Sequence, residues 1–434
     1  MSISSRIAAG LLGWALGVGL GAAGANAGTA TALASFSVAT GDHPYAATLF
    51  DNVVGRQGAL YTTVTGGAGT CYEDYGCGAV VRLTPPAAAG GAWTLQTLHA
   101  FKGADGDVPF AGLIFDTFGA LYGATAHGGA PGCFEGEGCG TVFRLAPPAT
   151  PGDPWSETTL YKFGGGADGA NPTGNLVFDT FGSLYGTALT GGTAGYGAVF
   201  KLAPPATPGG AWTKTTLYSF ADGGKYGVHP QAGLVFDTGG ALYGTTKNGG
   251  ALDLGVVFKL TPPATVGGPW TEAVLHTFRG GVDGANPYNT LLFDTAGALY
   301  GTAWKGGSHG AGIAFKLTAP TVAGGVWSES IYEFDAITGG QLQGGLARDT
   351  LGVLYGATNR GGTGNCALTN CGTLFALTAP ATPGGAWTHK ILADFTGPNG
   401  GDPEATPTFH LGSLYGTGDY GGADDLGVVY QFTP

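Results

Sequence analysis

The stretch that decides the fold runs from Gly233 to Phe278. It opens with Gly233-Leu-Val-Phe-Asp237, a short apolar run, and breaks at Thr238-Gly239-Gly240. A second run, Ala241-Leu-Tyr-Gly-Thr-Thr246, leads into a loop around Gly249-Gly250. The third, Gly255-Val-Val-Phe-Lys-Leu260, alternates with a period of two and places Val256, Phe258 and Leu260 on one face. Pro262-Pro263 and Gly267-Gly268 mark another loop, and a fourth run extends from Trp270 to Phe278. No segment has helical periodicity. The unit reads as four short strands punctuated by Gly, Pro and Asp.

The unit recurs. Its tyrosines are Tyr61, Tyr122, Tyr185, Tyr243, Tyr300, Tyr355 and Tyr415, with spacings of 61, 63, 58, 57, 55 and 60. Trp93, Trp155, Trp212, Trp270, Trp327 and Trp387 keep step with them. Four strands repeated seven times predict an all-β, seven-bladed β-propeller with four antiparallel strands per blade. A single blade cannot bury its faces alone, so the blades must stack around an axis. The C-terminal run Gly427-Val-Val-Tyr-Gln-Phe432 is a third strand. A lone fourth-type run, Ala34-Ser-Phe-Ser-Val-Ala39, stands near the other end, and Phe36 precedes Pro44 as Phe101 precedes Pro109. That N-terminal strand is expected to complete the last blade and cover its open edge.

Composition fits this reading. Of 434 residues 86 are Gly and 25 are Pro, a share otherwise met in disordered chains, but 43% hydrophobic residues exclude disorder. The net charge of −12 argues against nucleic acid, whose backbone requires a surplus of Lys and Arg. Residues 1–27 read as a secretory signal peptide: Arg6 is the only charge, an uncharged run follows, and Ala25-Asn26-Ala27 suits a signal peptidase. The propeller then occupies 28–434, with no membrane span after cleavage. The expected location is extracellular or periplasmic, and a monomer is expected.

Six cysteines form three local pairs, Cys71/Cys77, Cys133/Cys139 and Cys366/Cys371. Each pair precedes a glycine that opens a strand, and no histidine recurs with it. Disulfides in an oxidising compartment fit better than metal ligation. Bridges over such short loops pin loop tips and add little global stability.

Asp116, Asp179, Asp237, Asp294 and Asp349 recur in the first turn, each with a glycine three residues on. A carboxylate accepting backbone N–H bonds beside a residue tolerant of positive φ is turn chemistry. The recurring Trp and Tyr residues are expected to pack blade on blade. Strand alternation puts the Gly-Gly loops and the blade-to-blade loops on one face. That face collects all six cysteines and an Asp-Gly-x-x-Pro pattern.

Its candidate ligand-binding residues are Asp105, Asp168, Asn171, His229, Asp283, Asn286, Trp304, Lys305, Arg360 and Tyr420. His43, His127, His309 and Lys247 gather there too, and Asp42, Asp222 and Asp402 occupy related positions less regularly. Variable loops over a rigid scaffold are where binding tends to reside. Acidic clusters such as Glu73-Asp74, Glu135/Glu137 and Asp424-Asp425 are sparse, so no cofactor is expected; Ca²⁺ is the ion such carboxylates would take. No nucleophile elbow, phosphate loop, dinucleotide fingerprint or zinc-protease motif is present, so no catalytic residue is assigned. Arg348 replaces a first-strand Phe, Leu342 a Pro, and His410 a first-turn Asp; these adjacent departures read as drift between repeats, the alternative being a site in one sector.

The unit Gly-x-Leu-Tyr-Gly-Thr-Thr, Gly-Gly, Gly-Val-Val-Phe-Lys-Leu resembles the GloVer (Gloeo-Verruco) tandem repeat of exported bacterial proteins, over nearly the whole mature chain. The resemblance implies an exported repeat protein, often held at the surface by an anchor; none is recognisable here. It carries no catalytic residues over. The Asp-x-x-Gly-x-Leu-Tyr core is also similar to propellers of sensors and lactonase-like enzymes, at the level of fold alone. The expected function is non-enzymatic recognition of an extracellular glycan or protein through loops on one face. The alternative is a carbohydrate- or lactone-active enzyme with a metal or acid/base site at the central channel.

Overall fold

The computed structural model describes residues 28–434 except 52–57, 68–70, 72–75, 89, 134–135, 151, 208, 222–225, 266, 323, 365, 367–370 and 383. The expected signal peptide, Asp222, Glu73, Asp74 and Glu135 lie outside the described residues. Blade 1 contains Leu49–Phe50, Leu60–Val64, Ala79–Thr84 and Thr94–Ala100, paired antiparallel in that order. Blades 2 to 6 repeat it over 114–162, 177–219, 235–277, 292–333 and 347–394. Blade 7 takes Thr408–His410, Ser413–Gly418 and Val428–Phe432 from the C-terminal end. Its fourth strand is Thr31–Ser35, antiparallel to Val428–Phe432. This strand lies three residues earlier than the pattern suggested, with Phe36 following it rather than inside it. No α-helix occurs among the described residues; two single 3₁₀ turns, Gly166–Asp168 and Gly281–Asp283, sit in blade-to-blade loops.

The third strands depart from simple alternation. In blade 4 Val256, Val257, Phe258 and Leu260 are all buried, because both faces of the sheet are covered by neighbouring blades. A register shift between Val257 and Phe258 accompanies this.

Between blades the core is built on one repeated pair. Phe143, Phe200, Phe258, Phe315 and Phe375 on third strands lie opposite Gly123, Gly186, Gly244, Gly301 and Gly356 of the Leu-Tyr-Gly runs. A Cβ added at Gly244 would stand 2.7 Å from the Phe258 ring, so the ring occupies the volume a side chain would need. Blade 1 makes the reciprocal exchange: Thr62 replaces the glycine and faces the smaller Val81. Each ring then meets the Phe that follows the fourth strand of the preceding blade, edge-on in most cases, as in Phe101–Phe143 at 5.1 Å and Phe220–Phe258 at 5.3 Å. Aromatic edges on faces add to the area buried.

The recurring first-turn aspartates are structural. In blade 4 Asp237 Oδ1 accepts the backbone N–H groups of Gly239 and Ala241, both at 2.9 Å. Its Oδ2 accepts the Tyr243 hydroxyl at 3.0 Å and lies 3.4 Å from Lys259 Nζ. The tyrosine ring meanwhile packs edge-on against Phe293 of the next blade at 5.0 Å. Tyrosine therefore does two jobs, one between blades and one within its own. The drifted positions are accommodated: His410 stacks on Phe50 at 3.9 Å, Gln431 Nε2 donates to Tyr415 at 2.9 Å in place of the absent Asp, and Leu342 is fully buried.

Candidate functional site: the mouth of the central channel

A cavity of about 390 Å³ is lined by residues from all seven blades, each just before a first strand. Only the propeller axis can gather such a set. The residue after each blade-to-blade proline contributes one member: Tyr45, Phe110, Thr173, Gln231, Tyr288 and Glu404, with Gln343 after Leu342.

Two further positions per blade surround this ring. One is the residue before the proline, which has positive φ in every blade: His43, Val108, Asn171, His229, Asn286, Gln341 and Asp402 lie between 51° and 58°. The cause is hydrogen bonding. The N–H of Asn286 reaches back to Leu254 O of the previous blade at 2.8 Å, and its C=O accepts the N–H of Trp304 at 3.4 Å. The same pair of bonds recurs around the ring, for example Asp402 to Cys371 and Asp419 to Asp402. Asn, Asp and His tolerate this left-handed conformation better than other side chains. The other position is the exit of the second strand: Thr65, Ala126, Leu189, Lys247, Trp304, Asn359 and Asp419.

The backbone is equivalent around the ring, but the chemistry is not. Blade 7 supplies Asp402, Glu404 and Asp419. Blade 6 supplies Gln341, Gln343 and Asn359. Blade 5 supplies Asn286, Tyr288 and Trp304, and blade 1 His43, Tyr45 and Thr65. Next to blade 1, blade 2 supplies only Val108, Phe110 and Ala126. The acid and carboxamide sectors are wired together. Gln343 Nε2 donates to Glu404 Oε1 at 2.8 Å, and Asn359 Nδ2 to the same oxygen at 3.3 Å.

Burial and the neighbouring Asp419 and Asp402 push the Glu404 carboxyl up to about 8. Burial raises Asp419 to about 7, against the pull of nearby His43 and with the help of Asp402 and Asp42. Asp402 is raised by burial as well. His43 moves up, chiefly through its hydrogen bond to Asp42 at 3.1 Å. At neutral pH the sector therefore holds a proton on Glu404, whose Oε1 is already occupied by two amide donors.

A cleft of about 730 Å³ extends outward from this sector between blades 6 and 7. Trp304, Gln341, Gln343, Asn359, Arg360, Asp402 and Tyr420 line it, and the Cys366–Cys371 disulfide forms part of its wall. Lys305 Nζ stands 4.4 Å from the Trp304 ring. Trp304 Nε1 and Asp419 Oδ1 are buried without a hydrogen-bond partner, a donor and an acceptor in one sector.

The ten residues singled out from the sequence divide into three groups. Trp304, Lys305, Arg360 and Tyr420 lie in or beside the cleft. Asn171, His229 and Asn286 occupy the positive-φ ring. There Asn171 and Asn286 turn their amides to backbone carbonyls, Ala126 O at 2.8 Å and Lys247 O at 2.9 Å. Asp105, Asp168 and Asp283 stand at the outer wall. Asp168, for instance, is tied to Lys214 at 2.9 Å and Tyr161 at 2.8 Å.

Sequence reasoning missed Glu404, Asp419, Gln343 and Asn359. Their common offset from the proline or from the Leu-Tyr-Gly run was the available signal. All three cysteine pairs form disulfides, Cys71–Cys77, Cys133–Cys139 and Cys366–Cys371.

The Gloeobacter/Verrucomicrobia repeat matches residues 24–220 and 157–370. The chain belongs to this repeat family. No curated protein sequence matches it. Among solved structures, a Dyadobacter fermentans protein of unknown function is 13% identical, covering 84% of this chain and 97% of its own, with a TM-score of 0.41. The extracellular domain of a protein named as a one-component system of B. thetaiotaomicron is 13% identical, with a TM-score of 0.51. It covers 93% of this family member, which spans 41% of that protein. At 13% identity this second likeness is one of fold. The disulfides suit an oxidising compartment, and no helix among the described residues is long and apolar enough to cross a membrane.

Proposed function

We propose that this repeat protein acts outside the cytoplasm, after cleavage following Ala27, as a non-enzymatic binding propeller. Its ligand is a segment of an extracellular glycan held in the cleft between blades 6 and 7. One observation carries the reading: aromatic, carboxamide and carboxylate side chains occupy adjacent blades at one side of the mouth, while the same backbone positions in blade 2 are apolar. An aromatic face covers the C–H face of a sugar, and planar amides and carboxylates address its hydroxyls. The unpartnered Trp304 Nε1 and Asp419 Oδ1 supply a further donor and acceptor.

Calorimetric titration with a panel of neutral oligosaccharides tests this. A binder is expected whose affinity falls about tenfold in Trp304→Ala, roughly 1.4 kcal/mol. Absence of any binder, or a binder indifferent to Trp304→Ala, Asn359→Ala and Glu404→Gln, sinks the proposal.

A second reading has its own support. A carboxyl held protonated at neutral pH beside other carboxylates is the arrangement general acid catalysis requires. It predicts product release from the bound saccharide or from a lactone, abolished in Glu404→Gln with binding retained.

A further inference from the structure

At the outer wall, the end of one blade's fourth strand meets the start of the next blade's fourth strand. The residue two before the terminal Phe then faces the residue two after the Trp. Three of the seven seams are closed by tyrosine, and two have Ala393 or Ala34 at that position. Tyr161 and Lys214 share Asp168, Tyr218 donates to Glu272 at 2.6 Å, and Tyr332 stacks on His389 at 5.0 Å.

The remaining two carry histidine, and they are built in the same way. Between blades 4 and 5 stand His276, Asp283 and Glu329; between blades 1 and 2 stand His99, Asp105 and Glu157. In each set one nitrogen and two carboxylate oxygens lie within 4.8 Å of one another.

The parts are held alike in both seams. A backbone N–H binds one oxygen of each aspartate: Arg279 to Asp283 Oδ2 and Lys102 to Asp105 Oδ1, both at 2.7 Å. The other oxygen faces the imidazole, His276 Nε2 to Asp283 Oδ1 at 3.5 Å; in the seam between blades 1 and 2, His99 Nε2 and Asp105 Oδ2 share a hydrogen bond at 3.0 Å, and Glu157 Oε1 accepts the Thr159 hydroxyl at 3.1 Å. Each imidazole is braced edge-on by the next Phe, Phe278 at 4.7 Å and Phe101 at 5.0 Å.

His276 Nε2 also lies 3.5 Å from Glu329 Oε1. Both atoms are sealed from solvent without a hydrogen-bond partner, although the three side chains are only 11%, 16% and 14% exposed. Two donors about 2.05 Å from one ion at a tetrahedral angle stand about 3.3 Å apart. The observed 3.5 Å is long for a hydrogen bond but close to that spacing. The oriented aspartate and braced ring supply the supporting contacts that metal ligands require.

We propose that these two seams are metal sites, each taking one zinc-class divalent ion on one imidazole and two carboxylates, with water completing the shell. An imidazole selects such an ion over Ca²⁺ or Mg²⁺. The ion would link consecutive blades, and it has no part in the cleft at the mouth.

The mature full-length protein, stripped with chelator, is titrated with Zn²⁺ and the complex weighed by native mass spectrometry. Two ions per chain are expected, and the melting temperature is expected to rise by about 3 °C or more at saturation. Co²⁺ should give the visible absorption of a four-coordinate site. Glu329→Gln and Glu157→Gln, which keep shape, should each remove one ion, and the double variant both. His276→Ala and His99→Ala should do the same. No stoichiometric ion, or two ions retained in a folded double variant, overturns the proposal. One ion lost only with Glu329→Gln overturns the site between blades 1 and 2.

Discussion

Blades 2 and 7 share a backbone at the channel mouth and almost nothing else there. Val108 and Asp402 hold the same positive φ, Phe110 and Glu404 follow the same proline, and Ala126 and Asp419 leave the same strand. One blade presents a methyl, an isopropyl and a phenyl group. The other presents three carboxyls, of which Glu404 accepts both amides of blade 6. The scaffold therefore specifies where side chains point, and each blade chooses its chemistry independently. That freedom exists because the Gly–Phe pairs, the Asp–Tyr turns and the backbone bonds of the ring do the holding, and none involves the mouth side chains.

The largest effects should fall on what the two blades share. Gly123→Val in blade 2 and Gly416→Val in blade 7 force a side chain into the volume of Phe143 or Tyr430. Each should cost about 3 kcal/mol by chemical denaturation, alike in both blades. A clearly smaller cost in one blade would show that the scaffold is not uniform.

A smaller effect separates them. Ala126→Asp places a carboxylate at a 2% exposed position beside neutral Asn171, where Asp419 has His43. It should destabilise by about 2 kcal/mol at pH 8, where Asp419 is tolerated in its own blade.

The pH dependence should be one-sided. The Glu404 carboxyl is raised to about 8 from the ordinary 4.5, so the folded state holds its proton more tightly than the unfolded chain. Its contribution is fully present below about pH 4.5 and is lost as pH rises through 8. Glu404→Gln should therefore match the parent in thermal melts near pH 4.5. By pH 8.5 it should be the more stable by about 1 kcal/mol or more, with Phe110→Gln showing no such trend. A gap that opens toward acid instead would mean that Glu404 is held as the anion.

The smallest effect concerns the ring itself. Val108 is β-branched at φ 52°, where Asn, Asp or His stands in most blades. Val108→Asn should stabilise by about 0.5 kcal/mol, whereas Asp402→Asn should gain nothing from conformation. Equal responses would show that the positive φ carries little strain.

Much of the architecture was legible because it is written in short-range pattern. Blade 4 alone displays its four strands, and the Asp–x–x–Gly turn needs no distant partner. The cysteine pairs were readable for the same reason, being five or six residues apart. The tyrosine hydroxyls were not foreseen as partners of the aspartates, since only the sheet register brings residue i+6 back to the turn. Nor was the fate of Asp105, Asp168 and Asp283. They share a loop pattern with the mouth residues, but loops from blade to blade run from the outer wall to the axis, and these aspartates lie at the outer end.

Repetition along the chain was enough to determine the number of blades, the strands within each and the face on which loops gather. These are properties of units about 59 residues long, set by alternation and turn chemistry within each unit. Ring closure alone decided which side chains meet. It sets His43 beside Tyr420, 5.8 Å between rings, from opposite ends of the sequence, and it brings Gln343 to Glu404. Blade twist likewise carries His276 to Glu329 across a seam. Contacts between units depend on how each sheet is rotated against the next, and no single repeat encodes that rotation.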